Sequence, residues 1–170
     1  MGNQLFFIGY MAAGKSTAAA QLAKQTHLPL LDLDAALEAR HKKPIADLFA
    51  AVGEADFRRL ESAILEEIAG SSAHRIIACG GGLACTPGAI ERMKQHGRVV
   101  WLNTPFDVIF RRLSQKPEGR PLLSKLGWPE KSGIEEHFRS RQSCYEKADE
   151  AVAELTDQVL SDWANWLQSD

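Results

Sequence analysis

A glycine-rich loop that carries a basic and a hydroxyl residue lies near the start of the chain. It runs Gly9-Tyr-Met-Ala-Ala-Gly-Lys-Ser16 and fits the pattern GxxxxGKS/T, with an apolar run before it and an Ala-rich stretch after it. Backbone N–H groups of such a loop bind phosphate oxygens, the lysine contacts the β- and γ-phosphates, and the serine hydroxyl coordinates Mg²⁺. We expect a nucleoside triphosphate site here rather than a chance glycine turn. The residues expected to form it are Ala12, Ala13, Gly14, Lys15, Ser16 and Thr17.

Two aspartates end the second apolar run, in the segment Leu31-Asp32-Leu33-Asp34. Alternation along an extended segment predicts that Asp32 and Asp34 share one face, at the carboxyl end of a strand where a ligand would lie. Carboxylates there could order Mg²⁺ through water or accept the proton of an acceptor hydroxyl. The alternative is that Asp34 only caps a helix that begins at Ala35. Beside a phosphate-binding loop we favour the functional interpretation.

An arginine and a run of glycines are candidates for binding an acid. Arg58 and Glu61 lie three residues apart on a predicted helix, so they share a face and can pair. An arginine fixed in this way suits bidentate binding of a carboxylate, although a solvated surface pair is the more common explanation. Gly80, Gly81 and Gly82 leave backbone N–H groups open to a ligand, and a flexible turn explains them equally well.

Three further arginines are weaker candidates. Arg120 lies in a long segment from Gln115 to Gly133 with little periodicity. It could close over the γ-phosphate and neutralise charge during transfer, or it could be an ordinary solvated arginine. Arg112 could stack on adenine through its planar guanidinium group. Arg141, on a late helix, carries no signal by itself.

Short apolar runs alternate with longer amphipathic stretches along the whole chain, which predicts an α/β fold with a mainly parallel sheet. Thr86 and Thr104 each precede a proline and are predicted to be helix N-caps. Strands are predicted over Leu5–Ile8, Leu28–Leu33, Arg75–Cys79, Arg98–Leu102 and Glu150–Leu155. Helices are predicted over Lys15–Gln25, Ala35–His41, Ile45–Val52, Glu54–Ala69, Pro87–His96, Pro105–Leu113, Ile134–Ala148 and Thr156–Leu167.

Composition narrows the function further. The 170 residues are 45% hydrophobic with a net charge of −2, so no overall basic surface predicts a nucleic acid or anionic membrane as partner. No apolar stretch approaches the ~20 residues of a membrane span. Cys79, Cys85 and Cys144 are an odd set without CxxC spacing, which predicts free thiols and neither a disulfide framework nor a zinc site. We therefore expect one cytoplasmic domain.

Taken in order, these segments resemble the shikimate kinases, small P-loop enzymes of the nucleoside monophosphate kinase structural family. The resemblance implies ATP-dependent phosphorylation of the 3-hydroxyl of shikimate, in aromatic amino acid biosynthesis, with Mg²⁺ as cofactor. It also implies a five-stranded parallel sheet in the order 2-3-1-4-5, and we expect a monomer. The segments that carry it are 8–17, 31–34, 45–49, the GEADFRRLE of 53–61, 80–82, the RPLL of 120–123 and 141–145.

The resemblance assigns the acceptor side of the site by matched position. Asp34 would hold the ring hydroxyls and help orient or deprotonate the attacking one. Arg58 and Arg141 would clamp the carboxylate, and the backbone of 80–82 would contact the ring. The implied substrate-binding helical region spans about residues 35–62. The residues that would line the apolar side of the ring are Ile45, Phe49 and Phe57.

The resemblance assigns the phosphate side in the same way. Ser16 would ligate Mg²⁺ directly, and Asp32 would organise it through water. Lys15 and Arg120 would stabilise the transferring phosphoryl group, and Arg112 would pack on adenine. The implied lid covers about residues 114–127.

The chain departs from the family pattern at a few positions. Ala12 stands where the family usually has glycine, which costs ~1 kcal/mol if that residue needs a positive φ. Ala19-Ala20 replaces a common Gly-Arg pair, and Ser143-Cys144 replaces a usual Pro-Leu. Two rival functions stay open at this point. One is a related small-molecule kinase such as a gluconate kinase, and the other is a regulatory module that binds nucleotide without transferring phosphate.

Overall fold

The computed structural model describes residues 3–69, 71, 75–115, 123 and 125–169. Within them, five strands form one parallel sheet in the order β2-β3-β1-β4-β5, which confirms the predicted α/β fold and strand order. Every predicted strand is present, although β2, β3 and β5 are shorter than predicted. The strands are β1 Gln4–Ile8, β2 Leu30–Asp32, β3 Ile76–Ala78, β4 Gly97–Leu102 and β5 Glu150–Val152.

Helices cover the sheet between its strands. The longest helix, α3, is interrupted at Gly53, where a φ of 78° and a ψ of 172° divide it into the two helices predicted for this segment. No helix in the described ranges combines the length and apolar character needed to cross a bilayer. The helices are α1 Lys15–Thr26, α2 Leu33–His41, α3 Ile45–Ala69, α4 Ala89–His96, α5 Phe106–Gln115, α6 Lys131–Tyr145 and α7 Asp157–Gln168, with a 3-10 turn at Leu83–Cys85.

The central strand β1 is buried on both faces, which explains why its sequence is a continuous apolar run rather than an alternating one. Phe6 and Ile8 pack into the cluster that contains the buried apolar residues of α3 and α4. Leu5 and Phe7 pack on the opposite face, against α1 and α7. Because successive side chains of a strand alternate between faces, β1 anchors helices on both sides of the sheet.

Three neighbouring strands bring their carboxyl ends to one edge of the sheet. β1 leads into the glycine-rich loop, β2 ends at Asp32, and β3 leads through Cys79 to the glycine run. In the loop, Ala12 has a φ of 60° and Gly14 a φ of 103°. The alanine therefore adopts the left-handed conformation that glycine adopts more easily.

The prediction that Thr86 and Thr104 cap helices is wrong. Helix α4 begins at Ala89, because Thr86 and the two residues after it form a turn that is closed by the Ala89 N–H and has Gly88 in the left-handed region. The Thr86 hydroxyl is buried, and no residue of the described chain accepts or donates a hydrogen bond to it. Helix α5 begins at Phe106, and the Thr104 hydroxyl instead donates to the Ala13 carbonyl at 2.8 Å.

The prediction of three free thiols is wrong for two of them. Cys85 and Cys144 form a disulfide with their Cα atoms 5.1 Å apart, whereas Cys79 is free and buried. The two bonded cysteines are 59 residues apart in sequence. Spacing along a chain carries no information about such an approach, which the fold alone creates.

The two threonines offer a matched test of burial against hydrogen bonding. Thr86→Val keeps the side-chain shape and removes an unsatisfied buried hydroxyl, so we expect the free energy of unfolding to rise by about 1 kcal/mol. Thr104→Val removes a hydroxyl that is bonded, so we expect a fall of about 1 kcal/mol. Urea unfolding of both variants measures this. Changes of the same sign would contradict the assigned environments.

Candidate active site

A large cavity of about 1250 Å³ opens at the carboxyl edge of β1, β2 and β3. Ligand cavities typically have ≈ 300–1,000 Å³, so this one has room for two ligands side by side. It brings together almost every site residue predicted from sequence. Those that line it are Ala12, Ala13, Gly14, Lys15, Ser16, Thr17, Asp32, Asp34, Arg58, Gly81, Gly82, Arg112 and Arg141, together with the apolar Ile45, Phe49 and Phe57.

Lys15 is held inside the glycine-rich loop. Its Nζ donates to the carbonyl oxygens of Gly9 and Tyr10, each at 2.9 Å. Burial lowers the pKa of Lys15, and the Asp34 carboxylate opposes that shift most strongly. The Lys15 ammonium and the Asp34 carboxylate therefore interact electrostatically, and each favours the charged form of the other.

Asp32 and Asp34 have different roles from the one that strand alternation predicts. β2 ends at Asp32, whose Oδ1 accepts the backbone N–H groups of Asp34 and Ala35 at 3.0 and 3.3 Å. Asp32 is therefore the N-cap of α2, and Asp34 lies in its first turn. The idea that both share a face of an extended segment is wrong, as is the idea that Asp34 is the cap. Both side chains nevertheless reach the cavity.

The Asp34 carboxylate faces the open cavity and is accessible to solvent. Within the described residues, no hydrogen bond or ion pair engages it, so it is available to a ligand. The protein around it raises its pKa by desolvation, while the Lys15 ammonium opposes that shift. A carboxylate with a raised pKa beside a phosphate-binding lysine is suited to handling a hydroxyl proton.

Arg58 and Glu61 form the predicted pair, and the pair is buried. Arg58 Nη1 donates to Glu61 Oε2 at 2.5 Å, and the Glu61 side chain is 1% exposed. Burial raises the pKa of Glu61, although the Arg58 guanidinium opposes the shift. A solvated surface pair would have both groups in water, so that alternative is wrong.

A second acidic residue joins the two arginines of the site. Glu54 Oε1 lies 3.4 Å from Arg58 Nη2 and 3.7 Å from Arg141 Nη2. The arginine side chains are only 16% and 15% exposed. Two guanidinium groups from α3 and α6 therefore converge on one wall of the cavity.

The glycine run packs directly against this wall. A Cβ on Gly80 would overlap the Glu61 carboxylate, and a Cβ on Gly82 would overlap the Arg58 guanidinium. A Cβ on Gly81 would lie 3.2 Å from the backbone nitrogen of the loop residue Met11. Close packing against the ionic groups therefore accounts for Gly80 and Gly82 better than turn flexibility does, because a side chain at either position would have to displace Glu61 or Arg58.

Sequence reasoning missed residues that connect the two halves of the site. The Tyr10 hydroxyl and His137 Nδ1 are 2.8 Å apart, which links the phosphate loop to α6. The Tyr145 hydroxyl donates to the Gly81 carbonyl at 2.6 Å, which links α6 to the glycine run. His137 and Arg141 are four residues apart on one helix face, a signal that could have drawn attention to His137. The tyrosines offered no comparable pattern.

The arginines predicted on the nucleotide side have different outcomes. Arg112 reaches the cavity and donates from Nη1 to the Ala12 carbonyl at 3.0 Å, beside the phosphate loop. Its contact with adenine stays a prediction. Arg120 lies outside the described residues, as does most of the predicted lid over about residues 114–127.

The residues predicted to hold Mg²⁺ are adjacent. The Ser16 hydroxyl donates to Asp32 Oδ2 at 2.6 Å at the mouth of the phosphate loop. Among the described residues, no group of three or more His, Cys, Asp or Glu side chains could hold a metal ion. This donor set fits Mg²⁺, which takes one or two protein oxygens and completes its octahedron with substrate phosphates and water.

The phosphate loop, the parallel sheet with β1 at its centre and the paired arginines define a P-loop kinase of small molecules. A family model described as shikimate kinase matches residues 11–168, and the chain belongs to the shikimate kinase family. A shikimate kinase from Persephonella marina is 35% identical over 147 residues, which are 86% of each chain.

Two solved structures are similar over nearly the whole chain. A shikimate kinase from Bacteroides thetaiotaomicron has a TM-score of 0.82 and 33% identity, with 99% of this chain and 97% of that one covered. A shikimate kinase from Acinetobacter baumannii in complex with shikimate has a TM-score of 0.82 and 28% identity, with 97% and 90% covered. The parallel sheet and its strand order are thus those of the family fold.

His137 provides a test of the link between the phosphate loop and α6. Burial lowers the pKa of His137, with a smaller contribution from Arg141, so the unfolded chain binds its proton more readily. The free energy of unfolding should therefore fall as the pH falls from about 6.5 through the lowered pKa. His137→Asn keeps an acceptor near the Nδ1 position without this titration, so its stability should fall less over that window.

Tyr10→Phe is the companion variant, since it removes the hydroxyl and leaves the histidine in place. We expect it to lower the free energy of unfolding by about 1 kcal/mol at neutral pH. Urea unfolding of wild type and both variants from pH 5 to 8 measures these effects. An identical pH dependence in wild type and His137→Asn would contradict the assigned environment of His137.

Proposed function

We propose that this chain transfers the γ-phosphoryl group of ATP to the 3-hydroxyl of shikimate, giving shikimate 3-phosphate and ADP for aromatic amino acid biosynthesis. The observation that carries the proposal is the convergence of Arg58 and Arg141 in the cavity that also holds Lys15 and Asp34. An acid group and an alcohol of one small molecule could be bound there at the same time. Membership of the shikimate kinase family supports this assignment.

The cavity wall suits a cyclic hydroxy acid. Arg58 and Arg141 offer N–H donors for a carboxylate, and their charges are balanced by Glu54 and Glu61. The acid would therefore be recognised by directed, charge-assisted hydrogen bonds rather than by excess positive charge. The rings of Phe49 and Phe57, 5.2 Å apart, would cover the apolar side of the substrate.

Transfer would depend mainly on placement and charge stabilisation, since phosphoryl transfer needs little covalent help from the protein. Asp34 would orient the attacking hydroxyl and accept its proton. Lys15, the loop N–H groups and Arg120 would stabilise charge on the transferring group. Ser16 would ligate Mg²⁺ directly and Asp32 through water; when bound, the ion neutralises charge on the β- and γ-phosphates.

Several broader features belong to the same proposal. The chain would act as a single domain, with a substrate-binding helical region at about residues 35–62 and a lid at about 114–127. Arg112 would pack on adenine. We propose a cytoplasmic monomer whose partners are shikimate and ATP, without nucleic acid or membrane.

A coupled assay of ADP release with shikimate as the sole acceptor tests the function directly. Turnover with shikimate and none with gluconate is the expected result. Preference for gluconate would favour the related sugar-acid kinases. Tight ATP binding without transfer to any cyclic hydroxy acid would favour a regulatory module.

Arg58→Lys tests the grip on the acid. Lysine keeps the positive charge beside Glu61 but lacks the planar fork, so we expect KM for shikimate to rise about 10- to 100-fold. KM for ATP should stay near the wild-type value. The matched control is Arg59→Lys, because Arg59 is the next residue on α3 and its side chain is 82% exposed. Equal effects on the two substrates would count against the assignment of Arg58.

Asp34→Asn tests the handling of the hydroxyl. The ionised carboxylate is the active form, and its pKa is raised, so wild-type kcat should fall as the pH is lowered through that pKa. We expect kcat of the variant to be about 10²- to 10⁴-fold lower, without this acidic limb. Steady-state kinetics from pH 5 to 9 measure both effects. Full activity in the variant would remove Asp34 from the mechanism.

A further inference from the structure

The Cys85–Cys144 disulfide joins two segments beside the acid-binding wall, by which we mean the cavity wall where Arg58 and Arg141 converge and would bind the acid. Cys85 ends the 3-10 turn that begins at Leu83, directly after the glycine run. Cys144 lies in the last turn of α6, three residues after Arg141. Residues three apart share a helix face, so the bond fixes the side of α6 that presents Arg141.

We propose that Cys85 and Cys144 are a site of reversible thiol–disulfide exchange that sets the affinity of the cavity for its acid substrate. The proposal rests on the function proposed above, because the acid is the group that Arg58 and Arg141 would bind. The oxidised form would hold the two arginines in place, and the reduced form would let α6 shift relative to the glycine run.

Contacts beside the disulfide limit what reduction would change. The Tyr145 hydroxyl donates to the Gly81 carbonyl at 2.6 Å, so a second link between the same segments survives reduction. Tyr145 is 1% exposed and packs on Trp101 with ring centroids 5.9 Å apart. Reduction should therefore loosen the acid-binding wall without releasing α6 from the core.

The three cysteines differ in their access to a reductant. Cys85 and Cys144 are both part-exposed. Cys79 is 3% exposed, and its Sγ lies 3.8 Å from Met93 Sδ in the core. Burial also raises the pKa of the Cys79 thiol, which suppresses the reactive thiolate. Exchange should therefore be confined to the bonded pair.

The reaction is an exchange with a dithiol, either a small molecule or a protein of that class. One thiolate of the reductant attacks one sulfur of the pair, which breaks the Cys85–Cys144 bond and forms a mixed disulfide. The second thiol of the reductant then displaces the protein sulfur. Two electrons and two protons pass to the protein, which gains two thiols, while the reductant becomes a disulfide.

Kinetic assays of the 170-residue chain, equilibrated with oxidised glutathione or with dithiothreitol, test the proposal. Mass spectrometry under denaturing conditions checks for the two-hydrogen difference between the states. We expect reduction to raise KM for shikimate about three- to tenfold, because the charge-assisted bonds to one guanidinium weaken by roughly 1 kcal/mol. KM for ATP and kcat should change less than twofold, and reoxidation should restore the original KM.

Cys85→Ser/Cys144→Ser is the matched variant. It should have the KM of the reduced wild type under both conditions, and each single substitution should remove the response as well. If the disulfide only stabilised the fold, its reduction would instead change KM for ATP, KM for shikimate and kcat together. That pattern, the absence of a disulfide in oxidised glutathione, or equal KM values for shikimate in the two states would overturn the inference.

The outcome also separates this inference from the proposed function. Turnover of shikimate with the same KM in both redox states would overturn only the exchange site. No turnover of shikimate in either state, with ATP still bound, would overturn the proposed function, and the inference would fall with it.

Discussion

The buried ion pair between Arg58 and Glu61 is the interaction on which the rest of the wall that contains Arg58, Arg141 and the glycine run depends. A carboxylate that is 1% exposed is stable in its ionised form only beside an opposite charge, and removing one member of such a pair typically costs ~3–5 kcal/mol. The pair also explains the glycine run, because Gly80 and Gly82 must lack side chains to pack against it. One ion pair thus constrains the residues of two segments that are distant in sequence, the second half of α3 and the glycine run.

The phosphate side and the acid side of the cavity are connected through Tyr10. Its backbone carbonyl accepts a hydrogen bond from the Lys15 ammonium. Its side-chain hydroxyl contacts His137, on the helix that carries Arg141. A shift of α6 would therefore move the phosphate loop through this contact, and a change in the loop would likewise move α6. Such shared elements are a physical route by which the two ligand sites can influence each other.

Much of the fold was predictable because its signals are local or periodic. The apolar runs located every strand, and the glycine-rich motif located the phosphate loop, since backbone chemistry fixes its spacing. The buried pair of Arg58 and Glu61 was predicted as a pair, but its burial was not, because spacing on a helix does not reveal what covers that face. The order of the strands came from the family resemblance rather than from periodicity.

The errors came from tertiary context. Thr86 and Thr104 each precede a proline, yet neither caps a helix. After Thr86, the left-handed Gly88 delays the start of α4 to Ala89, and the Thr104 hydroxyl donates instead to Ala13 in the phosphate loop. The disulfide could not be inferred from a separation of 59 residues. Asp32 rather than Asp34 caps α2, because β2 ends at Asp32, one residue before the predicted end of the strand. Arg120 stays a prediction from the resemblance.

The break in α3 at Gly53 affects the shape of the cavity, because residues from both halves of the helix line it. The half before it carries Ile45 and Phe49 of the apolar lining, and the half after it carries Phe57 together with Arg58 and Glu61. Open space surrounds the position where a Cβ would stand, so crowding would not oppose a larger residue there. Torsion would, because a φ of 78° with a ψ of 172° suits glycine alone. The backbone torsion at Gly53 therefore determines how the two halves of α3 hold their side chains around the cavity.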